Sequence, residues 1–189
     1  MARRPGLDKR VLIDEAAALA DARGLDFVTM ANIAARFSVR VQSLYNHIET
    51  ADELQRELSL FALQAMSDVI SRAAIGKNGA PGLLAIANAY RKFAKEHPGM
   101  YSATRRAPRP DDEAMLAVTG GMLEVLGAVL APYNFEGDRL VHVMRGFRCI
   151  VHGFVSVEAD NGFGLKQSTD ESFQFILQLF ISGLTVANH

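Results

Sequence analysis

The sequence has no tryptophan, one cysteine, almost no net charge and no stretch that alternates apolar and polar residues over the length of a strand. Each shortage excludes something. A single cysteine, Cys149, rules out an intramolecular disulfide framework and fits a reducing compartment. A net charge of -1 with 22% charged and 49% apolar residues excludes wholesale disorder. The basic start, Met1-Ala-Arg-Arg, is followed by an apolar stretch that Asp14 and Glu15 interrupt, so it is not read as a secretory signal. The longest uncharged run, from Ser172 to His189, carries Gln174, Gln178 and Ser182 and is too polar for a membrane span. A soluble, cytoplasmic chain with no membrane partner is expected. Motifs of enzyme chemistry are also missing: no GxSxG elbow, no HExxH, no phosphate-binding GxxxxGK[ST] and no glycine fingerprint between strand and helix. Gly76-Lys-Asn-Gly-Ala-Pro-Gly82 is glycine-rich but lies between helical patterns and reads as a loop. Neither an enzyme nor a cofactor is expected.

What is there instead is helical periodicity almost throughout. Leu12, Ala16, Leu19 and Ala20 make one stripe, stopped at Gly24. Thr29 caps a short second helix carrying Ala34 and Ala35 for close approach and burying Ile33 and Phe37. Val39 plugs the turn, and a third short helix holds Leu44, Tyr45 and Ile48. Thr50-Ala-Asp-Glu53 is a capping-box sequence before a long fourth helix. Pro81 suits the first position of a fifth, which His97-Pro98-Gly99 ends. A short sixth near Met100, a seventh from Asp111 to Leu130, an eighth from Asp138 to Ala159 and a ninth capped by Ser168-Thr-Asp-Glu171 complete the pattern. The fold class is all-α, with about nine helices. A boundary near residue 50 separates a small N-terminal module, residues 1–50, from a larger helical body, residues 51–189.

Charge is uneven along the chain. The first ten residues carry Arg3, Arg4, Lys9 and Arg10 against Asp8, and the stretch from Arg36 to Ile48 has two arginines, one histidine and no acid. Six basic residues and only Glu96 lie between Arg91 and Arg109. The second and third helices are too closely linked for a long antiparallel hairpin. Two short helices braced by a first is the arrangement of a helix-turn-helix. With Leu44 and Ile48 anchoring one face, Arg40, Gln42, Ser43, Asn46 and His47 point outward, and Arg and Gln suit guanine and adenine edges in the major groove. The alternative is a three-helix bundle with an ordinary solvated face, in a helical ligand-binding or adaptor protein that does not touch DNA.

Thr29-Met-Ala-Asn-Ile-Ala-Ala-Arg-Phe-Ser-Val, then Ser43-Leu-Tyr-Asn-His-Ile and Asp52-Glu-Leu, resembles the TetR family of bacterial transcriptional regulators over roughly residues 8–56. Downstream, His97-Pro-Gly-Met-Tyr101 and Val151-His-Gly-Phe154 resemble the subgroup named for a Trp-His-Gly motif, with Val151 at the Trp position. The resemblance implies a repressor that leaves a palindromic double-stranded operator when a small-molecule effector binds. It implies Val41, Gln42 and Ser43 facing bases, Tyr45 and His47 on phosphates, and Thr29 on the backbone. A lysine common in the family at the start of the fourth helix is Ala51 here, and Arg40 stands where Ser or Thr is frequent.

The ninth helix is apolar nearly all round, through Phe173, Phe175, Ile176, Leu177, Leu179, Phe180, Ile181 and Leu184, so it needs cover on two sides. The resemblance implies a homodimer through the last two helices, with Phe173, Ile176, Leu177, Phe180, Ile181 and Leu184 at the interface. On the eighth helix His142, Arg145, Cys149 and His152 share one face, opposite Leu140, Phe147, Ile150, Val151 and Phe154. That face reads either as a polar seam between subunits or as the lining of an effector pocket with Arg145 as anion partner. Their spread along the helix is too long for one metal ion, so no metal site is expected. Seven methionines and eleven phenylalanines would suit an apolar effector, or simply a core.

Overall fold

The computed structural model describes residues 7–187, and among them it contains nine α-helices, two short 3-10 turns and no strand. The helices are α1 (Lys9–Arg23), α2 (Met30–Phe37), α3 (Val41–Leu44), α4 (Ala51–Ala74), α5 (Gly79–Glu96), α6 (Pro98–Ala103), α7 (Glu113–Leu130), α8 (Gly137–Ala159) and α9 (Thr169–Ala187). The all-α expectation holds. Most ends fall where local chemistry puts them. Gly24, at φ +88°, ends α1, and Ser168 Oγ accepts from the N–H of Glu171 to open α9. At the start of α4, Thr50 Oγ1 accepts from the N–H of Glu53, while the Glu53 carboxylate reaches back to the N–H of Glu49. That reciprocal pair is a capping box shifted by one residue on the return bond. Pro81 is the third residue of α5, not the first, and α7 begins at Glu113 because Asp112 takes the cap, accepting from the N–H of Met115.

The chain forms two compact units. One takes in residues up to Ala65 together with His97–Met115; the other comprises Met66–Glu96 and the chain from Leu116 onward. The first unit thus runs past residue 50 and includes α6, a segment distant in sequence. Its core is built from Leu12, Ala16, Ala20, Ile33, Leu44, Ile48, Leu54 and Leu58, all almost completely buried. Ala34 is buried as expected, but Ala35 is exposed, because α2 turns only one narrow face inward. Phe37 and Val39 are half-buried.

The second unit is centred on Leu83, Ala87, Phe147, Val151, Phe173 and Leu177. Phe154 sits 4.9 Å from Phe173, and Phe147 lies 5.9 Å from Phe180, so α8 and α9 meet through aromatic pairs. Arg91 of α5 is buried against this layer, its guanidinium on the Phe173 ring and bonded to Glu158 at 2.7 Å, with Asp170 also at 2.7 Å. The bonds from Arg91 hold the Glu158 carboxyl down at about 2, with Lys95 contributing less.

Candidate nucleic-acid interface

The turn between α2 and α3 is set by Ser38, which adopts φ +55° and ends α2, while the N–H of Val39 donates to the Ala34 carbonyl at 3.1 Å. At the other end of α2, Thr29 Oγ1 accepts from the N–H of Asn32 at 3.2 Å, and the Asn32 amide donates to the Phe27 carbonyl at 2.8 Å. The cap residue of α3 is Arg40, which supplies no side-chain cap bond and leaves its guanidinium exposed. Helix α3 is shorter than its apolar spacing suggests. It ends at Leu44, and residues 45–47 form a turn whose His47 and Ile48 N–H groups both donate to the Leu44 carbonyl. Leu44 and Ile48, each 1% exposed, pin this segment down. Arg40, Gln42, Tyr45 and Asn46 are exposed, and Val41, Ser43 and His47 are half-buried beside them.

An open groove of about 680 Å³ runs next to this segment, lined by residues that include Thr29, Val41, Tyr45, Ala51 and Gln55. Its walls include the first turns of α2 and α4, whose N–H groups form the positive end of each helix dipole, and the turn carrying Leu25 and the carboxylate of Asp26. Gln55 fixes one wall by donating to the Val28 carbonyl at 2.8 Å. The acids at the start of α4 are neutralised from elsewhere in the unit. Lys9 lies 2.8 Å from Glu53 and 2.9 Å from Glu57, bonds that raise its pKa, above all the one to Glu53. Lys9 therefore braces α1 against α4 and is not a loose cation for phosphate. Arg10 is exposed, and Arg3 and Arg4 lie outside the described residues.

Comparison with known proteins decides which family the chain belongs to. Residues 83–180 match the family model described as the C-terminal domain of tetracycline-repressor-like proteins. The chain is also 30% identical over 189 residues to YobS of Bacillus subtilis (strain 168), an uncharacterized HTH-type transcriptional regulator, covering 100% of this chain and 98% of that one. This protein belongs to the TetR family. The uncharacterized HTH-type transcriptional regulator Rv0681 of Mycobacterium tuberculosis is 30% identical over 159 residues, 84% of this chain and 73% of the relative. Among solved structures, Streptomyces coelicolor ActR in complex with (S)-DNPA superposes with a TM-score of 0.67 at 16% identity, over 98% of this chain and 100% of that one. That last likeness is one of fold. Like the two regulators it resembles in sequence, this TetR-family chain is a DNA-binding transcriptional regulator of the helix-turn-helix type.

In the body of the regulator the structure sorts the residues singled out from sequence. On α8, His142, Arg145 and Cys149 lie on the exposed side, because Phe147, Val151 and Val155 take the inner one. His152 turns inward, its Nδ1 3.1 Å from the Tyr90 hydroxyl. On α9, Phe173, Leu177 and Leu184 are buried within their own chain and so present no surface to a second subunit. Ile176 is exposed, and Phe180 and Ile181 are half-buried. Phe175 at 63% and Leu179 at 55% exposure, absent from the expected interface, form the outermost ridge with Ile176 and Val186. Helical wheel arithmetic could have found them, since Phe175, Leu179, Ser182 and Val186 recur on one face opposite Phe173 and Leu177. The segments Glu113–Tyr133 and Gly137–Ala159 are long and apolar enough to cross a membrane by length and composition.

Proposed function

We propose that this regulator is a cytoplasmic, homodimeric repressor, released from a palindromic operator by a largely apolar small molecule. The observation that carries the DNA side is the short, firmly anchored α3 segment with Arg40, Gln42, Tyr45 and Asn46 turned outward beside an open groove between two helix starts. Gln42 and Arg40 have the bidentate donors and acceptors that distinguish bases in the major groove. Tyr45, His47 and Thr29 suit backbone positioning, which fixes register without reading sequence. Gln42→Ala should cost about 1–3 kcal/mol at the operator positions it reads, and relax specificity there. Band shifts with genomic fragments, followed by anisotropy on the selected site and its single-base variants, measure this. An equal loss on every duplex would remove Gln42 from base reading.

The dimer reading rests on the ridge of Phe175, Ile176, Leu179 and Val186, which has no cover within the described chain. Two copies sharing a two-fold axis would bury it, and a two-fold dimer suits an operator whose half-sites lie one helical turn, about 34–36 Å, apart. A second copy is a better cover than lipid, because Arg145 and Arg148 are exposed along α8 and such charges are costly within hydrocarbon. Leu179→Arg should therefore give a folded monomer in sedimentation, whereas Leu177→Arg should unfold the chain. A wild-type monomer at micromolar concentration would overturn the dimer.

The effector reading takes support from ActR, whose structure holds (S)-DNPA. In this chain the half-buried pair of Tyr90 and His152 offers polar anchoring amid apolar side chains of α5 and α8. By linkage, effector and operator must weaken each other by the same factor. Titration of operator complexes with compounds that raise the melting temperature tests this part. Hits that never loosen the DNA complex would leave a constitutive binder.

A further inference from the structure

We propose that Arg106 and Arg109, on the segment joining α6 to α7, contact the DNA backbone beside the start of α4. This rests on the reading that the α3 face binds DNA, and adds a surface that lies some sixty residues further along the chain. The segment is pinned at both ends. Thr104 Oγ1 donates to the Tyr101 carbonyl at one end, and Asp112 holds Arg56 through two bonds of 2.6 Å at the other. Between them, Arg106 Nη2 donates to Asp52 Oδ1 at 2.8 Å, and Arg109 Nη2 donates to Asp52 Oδ2 at 3.3 Å. Asp52 is the second residue of α4, and Ala51 before it lines the groove with Thr29 and Tyr45.

Charge explains why the arginines matter there. The first turn of α4 carries two acids, Asp52 and Glu53, and no cation of its own. A phosphate approaching the groove would meet both carboxylates. Lys9 is shared between Glu53 and Glu57, whereas two guanidinium groups, those of Arg106 and Arg109, face the single carboxylate of Asp52. Arg109 is 65% exposed. An ion pair so open to water contributes little to stability, so it can be exchanged for another acceptor. A guanidinium fork suits a phosphate oxygen pair at least as well as a carboxylate. Asp52 then serves to hold both side chains at the start of α4. Proline at 108 and 110 narrows the backbone freedom of the segment that carries them.

The test is the salt dependence of binding to a mixed-sequence duplex, where phosphate contacts dominate whatever the operator is. Arg106→Gln with Arg109→Gln should lower the log–log salt slope by about 0.9 for each phosphate left without its cation in a subunit, and Arg72→Gln, at the far end of α4, should not. Ala51→Lys in the double variant should restore about 0.9 per subunit, because it puts a cation at the start of the same helix. Thermal melts confirm that the variants fold; if the double variant does not, Arg109→Gln alone, whose bond to Asp52 is solvent-exposed, carries the same comparison. A double or single variant with the wild-type slope overturns the proposal, as does a lysine at 51 that restores nothing. Wild-type protein that binds no duplex at low salt overturns the DNA reading itself, a different result from binding with an unaltered slope.

Discussion

Gly99→Ala lowers stability by about 3 kcal/mol or more, or prevents folding outright, although alanine is the better helix former. A Cβ at position 99 would lie 2.0 Å from the carbonyl carbon of Ala20, 2.1 Å from its oxygen and 2.5 Å from the nitrogen of Asp21. All three are backbone atoms of α1, so no side-chain rotation can make room. The alternative is to lift α6, and its first turn is fastened from two directions. Asp21 Oδ1 accepts from the N–H of Met100 at 2.9 Å, and Asp21 Oδ2 lies 2.8 Å from Nδ1 of His97. Lifting α6 also uncovers Met100, Tyr101 and Ala103, all buried. Urea unfolding measures the loss. Gly120→Ala is the control: its added Cβ meets nothing within 4 Å, so the same change inside α7 should gain roughly 0.5–1 kcal/mol. Equal midpoints for the wild type and the position-99 variant would mean that α6 does not rest on α1.

Arg91→Met comes next in size. Arg91 is 9% exposed and Glu158 14%, and removing one member of such a pair costs roughly 3–5 kcal/mol because the other stays buried with its charge. Lys95, 3.1 Å from Glu158, softens the loss, since it remains to balance the carboxylate. Arg91→Met with Glu158→Leu should recover much of it, because the charges left without partners, Lys95 and Asp170, are exposed to water. The same cluster sets an acid limit. Its carboxyl sits at about 2 when folded against an ordinary 4.5, so the unfolded chain binds that proton first as pH falls. The contribution is whole above the ordinary value and drains away between there and about 2, amounting to roughly 3 kcal/mol. Wild type should therefore lose more stability than Glu158→Gln over that range. Parallel decline of the two would mean that the Arg91 bonds do not persist in solution.

Signals that act over three or four residues were legible in the sequence. Thr29, Thr50 and Ser168 each accept the bond that their position suggested, and Gly24 ends α1. The helix-turn-helix anchors, Leu44 and Ile48, were also readable, because a buried pair at that spacing has few other uses. The length of α3 was not. Periodicity carried it to Ile48, whereas helical bonding stops at Leu44 and the chain turns before Thr50 opens the next helix. On α9 an all-round apolar pattern announces two covered sides without saying which is inner, and so it does not separate Leu177, which is buried, from Ile176, which is exposed. The partners of Asp52 and Asp21 are 54 to 79 residues away, and no spacing rule links residues so far apart. Only the excess of base between Arg91 and Arg109 hinted that the segment after α6 had something acidic to meet.

The compact unit that carries α3 is not continuous in sequence, and this has a consequence for how the protein is made. Residues up to Ala65 leave the ribosome with the α1 surface that Gly99, Met100 and Tyr101 will cover still bare, and with Asp52 and Arg56 lacking Asp112 and the two arginines. Thirty-odd residues, Met66–Glu96, must be synthesised before any of those partners exists. At about 5–20 residues per second the interval is a few seconds, far longer than helices or loops need to form. The reading head is thus held incomplete during translation, its α1 docking surface open to chaperones, and it closes only when α6 emerges to take its place.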